Sequence, residues 1–179
     1  MTAIEQAFNS VKENDTGKLE ELLINDADLC YAVNEEQVSL LLYAIYHRNE
    51  IAKALITFFK KDISIYEAVC LGNIEVTKKK LESNPVLLNA FSPDGFTLLG
   101  FACFFRQLPM ALYLIEQGAI VNQASANTFK VFPIHAACAI ADLGLVELLI
   151  CHGADVNVRQ HLPGRASNDF FCNNLMGKK

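Results

Sequence analysis

The chain has 179 residues, a length that suits one domain or one array of repeats and leaves no room for a second large core. Hydrophobic residues make up 52% of the sequence and charged residues 20%, which excludes a disordered or collagen-like chain. The net charge of -5 argues against nucleic acid as a partner, because proteins that bind it cluster Lys and Arg to neutralise phosphates.

The sequence carries no segment that predicts a membrane span. Its longest apolar stretches, such as Leu98 to Phe105, are about eight residues long, whereas a helix needs about 20 residues to cross a bilayer. The N-terminus, Met1 to Glu5, has an acidic residue where a secretory signal has a basic residue and an apolar run. We therefore expect a cytoplasmic protein, with the nucleus and secretion as an effector left open as alternatives.

Five apolar helical runs follow one another along the chain. Apolar side chains recur every three to four positions in each run, as in Leu145 to Ile150, which is typical of an amphipathic helix. A small residue precedes each run, and small side chains let neighbouring helix pairs stack closely. The spacings between these small residues are 34, 24, 34 and 35 positions. The small residues are Ser10, Ala44, Ala68, Ala102 and Ala137.

This period predicts five helix-turn-helix units in one array over residues 1–160. The 24-residue gap between Ala44 and Ala68 is too short for two helices and a hairpin, so we expect no hairpin finger between the second and third units. Residues 161–179 are polar and have length for at most one helix, so we expect a degenerate or truncated C-terminal cap. The units cover about residues 3–36, 37–61, 62–93, 94–128 and 129–160.

Two blocks of sequence recur in the last two units. Gly95–Cys103 matches Lys130–Cys138 at an offset of 35 residues, and Gly118–Asn122 matches Gly153–Asn157 at the same offset. Two separate blocks that share one period indicate a structural repeat.

These blocks also carry the resemblance to a family. Phe132–Ala137 resembles the T-P-L-H-x-A signature of ankyrin repeats, and His152–Asn157 is similar to the end of such a repeat. Phe132 stands in the Thr position of the signature, and Gly100 stands in the His position one unit earlier, which weakens the turn hydrogen bonds of the family. The resemblance implies an all-α solenoid with short β-hairpin fingers that binds a partner protein and is not an enzyme.

The expected contact surface lies at the ends of the first helices, on the concave side, and at the finger tips. The residues at these positions are unusually apolar, and an exposed apolar patch with Tyr and Phe anchors usually marks a contact surface. The alternative is that neighbouring units or the tail cover part of this set. The predicted partner-binding residues are Tyr43, Tyr46, His47, Leu71, Phe101, Phe104, Phe105, Ile140 and Phe129.

His135 is the residue that most resembles a catalytic side chain, since His titrates near neutral pH. The ankyrin resemblance instead gives it a hydrogen bond that fixes the turn before a helix. An enzyme that pairs His135 with a Cys is the minor alternative, because no nucleophile or carboxylate stands at a suitable spacing. We therefore expect no catalytic residues.

Cys138, Cys151 and His152 suggest zinc ligands, because thiolates and imidazoles suit zinc. Adjacent residues on a helix point about 100° apart, so Cys151 and His152 cannot both face one ion. We expect no metal and no cofactor. The six cysteines contain no CxxC pair, and a reducing compartment predicts free thiols.

The expected function is a monomeric module that binds a partner protein, with no nucleic acid or membrane involved. The alternative is a regulatory or targeting fragment of a larger ankyrin protein, such as an adaptor subunit or a host-directed effector. The fold alone does not distinguish an independent binding module from a fragment of a larger protein, because ankyrin arrays occur in both.

Overall fold

The computed structural model describes residues 1–160. Within these residues the chain forms ten α-helices, and its only β pairing consists of isolated bridges. The chain divides into two compact units, Met1–Glu67 and a second unit that begins at Ala68. The predicted C-terminal cap, residues 161–179, lies outside the described residues.

The first unit contains two helix pairs. α1 (Ala3–Lys12) packs against α2 (Thr16–Asn25), and α3 (Leu40–Tyr46) packs against α4 (Glu50–Phe59). The two pairs are stacked on each other: α1 also packs against α3, and α2 packs against α4. A short 3₁₀ helix, Ala27–Tyr31, follows α2.

The second unit contains the later helices, and the division between the units falls inside α5. α7 packs against α8 and α9, while α10 packs against α9 and α8. The all-α architecture and the succession of five helix pairs that the period predicts are confirmed within residues 1–160. The later helices are α5 (Ile65–Cys70), α6 (Ile74–Ser83), α7 (Leu98–Phe104), α8 (Leu108–Glu116), α9 (Pro133–Ala139) and α10 (Leu143–Cys151).

A residue in the left-handed region recurs at the turn inside each helix pair. Its φ lies between 52° and 71° in all five pairs, although only one of the five residues is Gly. The next residue is the N-cap of the second helix, and in four pairs its side chain accepts a backbone N–H of the first turn. The left-handed residues are Asn14, Arg48, Gly72, Arg106 and Ala141.

The fingers between helix pairs are small. Single antiparallel bridges close two of them, Val33 with Ser39 and Phe91 with Thr97. The finger between the second and third pairs is absent, as predicted: α4 ends at Phe59 and the next helix begins six residues later. Lys60 and Glu67, which lie near the two ends of this shortened connection, approach to 2.7 Å between Nζ and Oε1.

Candidate functional site

The predicted contact residues of the first unit lie at the end of α3. Tyr43 and Tyr46 are half-buried, and His47 is exposed. The ring of Tyr43 lies 4.3 Å from the imidazole of His47 and 5.0 Å from the ring of Phe8, measured between ring centroids. These contacts hold Tyr43 in place and leave Tyr46 and His47 partly open to solvent.

The predicted residues of the second unit centre on the end of α7. Phe104 is 42% exposed and Phe105 is half-buried, and their rings meet edge to face with centroids 5.2 Å apart. The positions equivalent to Phe104 in the neighbouring repeats are Cys70 and Ala139, as the period of 34 to 35 residues places them. Of these three equivalent positions, only position 104 carries a large side chain.

Two of the predicted contact residues are buried. Phe101 is only 2% exposed, because its ring packs between Phe96 and Phe105 with centroids 5.6 and 6.3 Å away. Ile140 is also buried, and Leu71, at the same position two repeats earlier, is half-buried. Phe101 and Ile140 therefore belong to the part of the set that neighbouring side chains cover, the alternative stated above, and their role in partner binding stays a prediction.

Phe129 lies in the turn before α9 and is exposed. Asn127 organises this turn, because its side-chain oxygen accepts the N–H of Phe129 at 3.2 Å and its amide donates to the carbonyl of Asp94 at 3.0 Å. A second bond joins the N–H of Ala126 to the carbonyl of Gly95 at 2.8 Å. The two successive turns of the second unit are therefore linked.

Side chains of the turn between α7 and α8 reach into both neighbouring repeats. Gln107 donates to the carbonyl of Cys70 at 3.1 Å, in place of capping its own helix. Arg106 donates to the carbonyl of Ile140 and lies 3.5 Å from the carboxylate of Asp142. The backbone beside Phe104 is therefore tied on both sides.

Asparagines join the repeats of the second unit at the other end of the helices. Asn89 donates to the carbonyl of Gly118 at 3.3 Å and accepts the N–H of Ile120 at 2.9 Å. Asn122 makes the same two bonds one repeat later, at 2.8 and 2.9 Å. This linking role was not predicted, although the recurrence of Asn after an apolar residue, as in Leu88-Asn89 and Val121-Asn122, is a sequence signal for it.

A buried ion pair occupies the place of the missing finger in the first unit. Glu67 is fully buried, and its carboxylate accepts from Lys60 at 2.7 Å, from the Ser39 hydroxyl at 2.6 Å and from the Ser64 N–H at 2.6 Å. The Lys60 ammonium also lies 5.1 Å from the centre of the Tyr31 ring. These partners satisfy both charged groups, and no periodic pattern in the sequence predicts the pair.

His135 is held by the backbone on both sides of its ring. Nδ1 accepts the N–H of Phe132 at 3.3 Å, and Nε2 lies 3.0 Å from the carbonyl of Val158. A carbonyl only accepts, so Nε2 carries the proton and the imidazole is neutral. Burial lowers the pKa of His135, against the smaller opposing effect of the bond to Val158. This geometry ties a turn together.

Two of the buried cysteines, Cys30 and Cys103, are poorly suited to act as nucleophiles. Burial raises the pKa of the Cys103 thiol strongly and that of Cys30 more modestly, which is the opposite of what a nucleophile needs. Cys30, Cys70, Cys103 and Cys151 are free thiols, as predicted.

No three His, Cys, Asp or Glu side chains of residues 1–160 lie close enough together to hold a metal ion. His152, one of the residues weighed as a ligand, instead places Nδ1 2.8 Å from the carbonyl of Leu148. None of the helices in this part of the chain is both long and apolar enough to cross a bilayer.

A family model described as ankyrin repeats, in three copies, matches residues 65–160, which is more than half of the chain. The chain belongs to the ankyrin repeat family. Ankyrin repeats are in general protein–protein interaction modules and are typically not enzymes. The stacked helix pairs and the linked turns agree with this family assignment.

Three curated relatives share part of the sequence. The probable 26S proteasome regulatory subunit p28 of Saccharomyces cerevisiae is 34% identical over 84 residues, 46% of this chain. Ankyrin repeat and SAM domain-containing protein 6 of Rattus norvegicus is 27% identical over 106 residues, 56% of this chain. A putative ankyrin repeat protein of fowlpox virus is 29% identical over 87 residues, 49% of this chain. The chain matches 36%, 11% and 20% of the lengths of these relatives, respectively.

The human ASB11 ankyrin repeat domain, known from a crystal structure, is similar in fold. It matches 97% of this chain and 82% of its own, with a TM-score of 0.51 and 21% sequence identity. This likeness supports the helix-pair architecture.

Proposed function

We propose that this chain binds a partner protein through the Phe104 surface, which consists of Phe104, Phe105 and Arg106. The observation that carries the proposal is the exposure of Phe104 on a helix whose other large side chains are mostly buried. Aromatic residues and Arg are enriched among the residues that dominate binding energy at protein interfaces. The surface therefore has the composition of a binding centre.

The Phe104 surface is ordered before any partner arrives. Phe105 packs against both Phe104 and Phe101, and Arg106 is held by the carbonyl of Ile140. A side chain that is already fixed loses little conformational entropy on binding. We infer that the array works by presenting a rigid aromatic surface to its partner.

The other predicted residues that are exposed or half-buried serve as additional contacts in this proposal. Tyr43, Tyr46 and His47 offer an aromatic surface in the first unit, while Leu71 and Phe129 offer apolar area in the second. Each is expected to contribute less than Phe104 to the binding free energy, because energetically dominant residues are few in most interfaces.

We also propose that the chain acts as a monomer in the cytoplasm.

A second candidate function is that of a regulatory or adaptor subunit in a larger assembly. The observation that favours it is the 34% identity with a protein named as a probable regulatory subunit of the 26S proteasome. The chain would then use the same surface to bind a neighbouring subunit. Size-exclusion chromatography of the tagged chain from its own cells distinguishes the two functions. A subunit of a larger assembly elutes with a large particle, whereas a monomeric binding module does not.

Affinity capture with paired variants tests the Phe104 surface. Phe104→Ser removes an exposed aromatic ring, whereas the control Leu143→Ser removes an exposed apolar side chain from α10. We expect the wild-type chain and the control to capture the same partner, and Phe104→Ser to capture at least about tenfold less, with an unchanged melting curve. Equal capture by all three chains, or equal loss in both variants, would contradict the proposal.

A further inference from the structure

The outer side of α4 in the first unit carries a second apolar stripe. Ile51, Leu55 and Phe58 are spaced by four and three residues, so they share one face of the helix. Phe58 is 84% exposed, Ile51 is exposed and Leu55 is half-buried. The opposite stripe of this helix, Ala52 and Ile56, is buried and supplies the core. Packing within the unit therefore explains only one of the two apolar faces.

The neighbouring helix α2 extends this surface. α2 packs against α4. Ile24 lies nine residues after Asp15, the N-cap of α2, and Phe58 lies nine residues after Asn49, the N-cap of α4. The two side chains therefore occupy equivalent positions on adjacent helices, and Ile24 is 66% exposed. We call Ile24, Ile51, Leu55 and Phe58 the outer patch.

The first unit, which carries the outer patch, has a net negative charge. Residues 1–67 contain twelve Asp and Glu and only six Lys and Arg, whereas residues 68–179 contain eight acidic and nine basic residues. The negative charge of the chain is therefore concentrated in the first unit. Glu20 is exposed one turn before Ile24, at the position that Ala54 occupies on the neighbouring helix. A carboxylate thus lies beside the apolar side chains.

We propose that the outer patch binds an amphipathic helix of a partner protein whose apolar face is flanked by Lys or Arg. A stripe with spacings of four and three residues suits the apolar anchors of a helix laid against it. The net negative charge of the first unit and the exposed carboxylate of Glu20 attract basic flanks. The same charge repels an anionic membrane and a second copy of this acidic unit. This contact is separate from the Phe104 surface and extends the proposed function to a second partner segment.

Fluorescence anisotropy with a designed peptide tests the outer patch. The probe is a labelled helix of about 18 residues with Leu on one face and Lys elsewhere, and its counterpart carries Glu in place of Lys. We expect the full chain to bind the Lys peptide saturably and the Glu peptide at least about tenfold more weakly. Added salt should weaken the binding of the Lys peptide.

Two variants and one control locate the binding. Phe58→Ser should weaken binding of the Lys peptide at least about tenfold, and Glu20→Lys should weaken it about threefold or more. Val86→Ser removes a similarly exposed apolar side chain from the second unit and should change nothing. All three positions are exposed, so the circular dichroism melting curves should stay the same.

Three results would overturn the proposal. The first is no saturable binding of the Lys peptide, or equal binding by the Phe58→Ser variant. The second is a dimer in light scattering that Phe58→Ser converts to a monomer, which would assign the patch to a second copy of the chain. The third is co-sedimentation with phosphatidylcholine–phosphatidylserine vesicles that Phe58→Ser abolishes, which would assign the patch to a membrane.

Discussion

Removing one partner of the buried ion pair in the first unit should destabilise the chain far more than removing a surface charge. Lys60→Met keeps the apolar stem of the side chain but leaves the carboxylate of Glu67 fully buried, with only Ser39 and Ser64 as donors. Breaking a buried pair in this way costs about 3–5 kcal/mol, because the remaining charge has lost its counterion. For a chain of this size that cost lowers the melting temperature by about 6–20 °C.

Urea unfolding followed by circular dichroism measures this cost. The control is Lys18→Met, which breaks the exposed pair between Lys18 and Glu21 and should cost less than about 1 kcal/mol. The double variant Lys60→Met with Glu67→Leu should recover most of the loss, because it leaves no buried charge. A cost below about 1 kcal/mol for Lys60→Met would refute the reasoning, since the pair would then behave as a surface pair.

Three further outcomes follow from the turns and the His. Ala141→Gly should raise the free energy of unfolding in urea by about 1 kcal/mol, because Ala141 has a φ of 53° that Gly adopts without strain; a loss would contradict this. Asn122→Ala should lower the same quantity by about 1–2 kcal/mol by breaking two bonds between repeats, and no change would count against a linking role. Burial lowers the pKa of His135 below its ordinary value of 6.5, so the unfolded chain takes up the proton first as pH falls. The free energy of unfolding should therefore be greatest above pH 6.5 and should decline as the pH falls through 6.5 toward the lower folded pKa. His135→Gln should flatten this pH dependence of the melting temperature, and an unchanged slope in the variant would contradict the prediction.

The helix pairs could be predicted from the sequence because two short-range signals mark them. Apolar side chains recur at helical spacing, and a small residue opens each pair, so Ala102 and Ala137 set the period without any knowledge of packing. The missing finger after α4 followed from simple length, since too few residues separate Ala44 from Ala68. These features depend on the local chain alone.

The contact surface was harder to predict because exposure depends on side chains that are distant in sequence. Phe101 and Phe104 lie one helical turn apart and are both Phe, yet one is buried against Phe96 and the other is exposed. The pairing of Lys60 with Glu67 likewise depends on where the shortened loop ends. Periodicity reports which face is apolar and does not report which face a neighbour covers.

Carbene footprinting of the chain with and without its captured partner measures the binding surface itself. The proposed function predicts that the partner lowers labelling at Phe104 and Phe105 by at least about tenfold while leaving the exposed Leu143 on α10 unchanged. Unchanged labelling at Phe104, together with protection at Leu143, would contradict the proposal that this chain binds its partner through the end of α7.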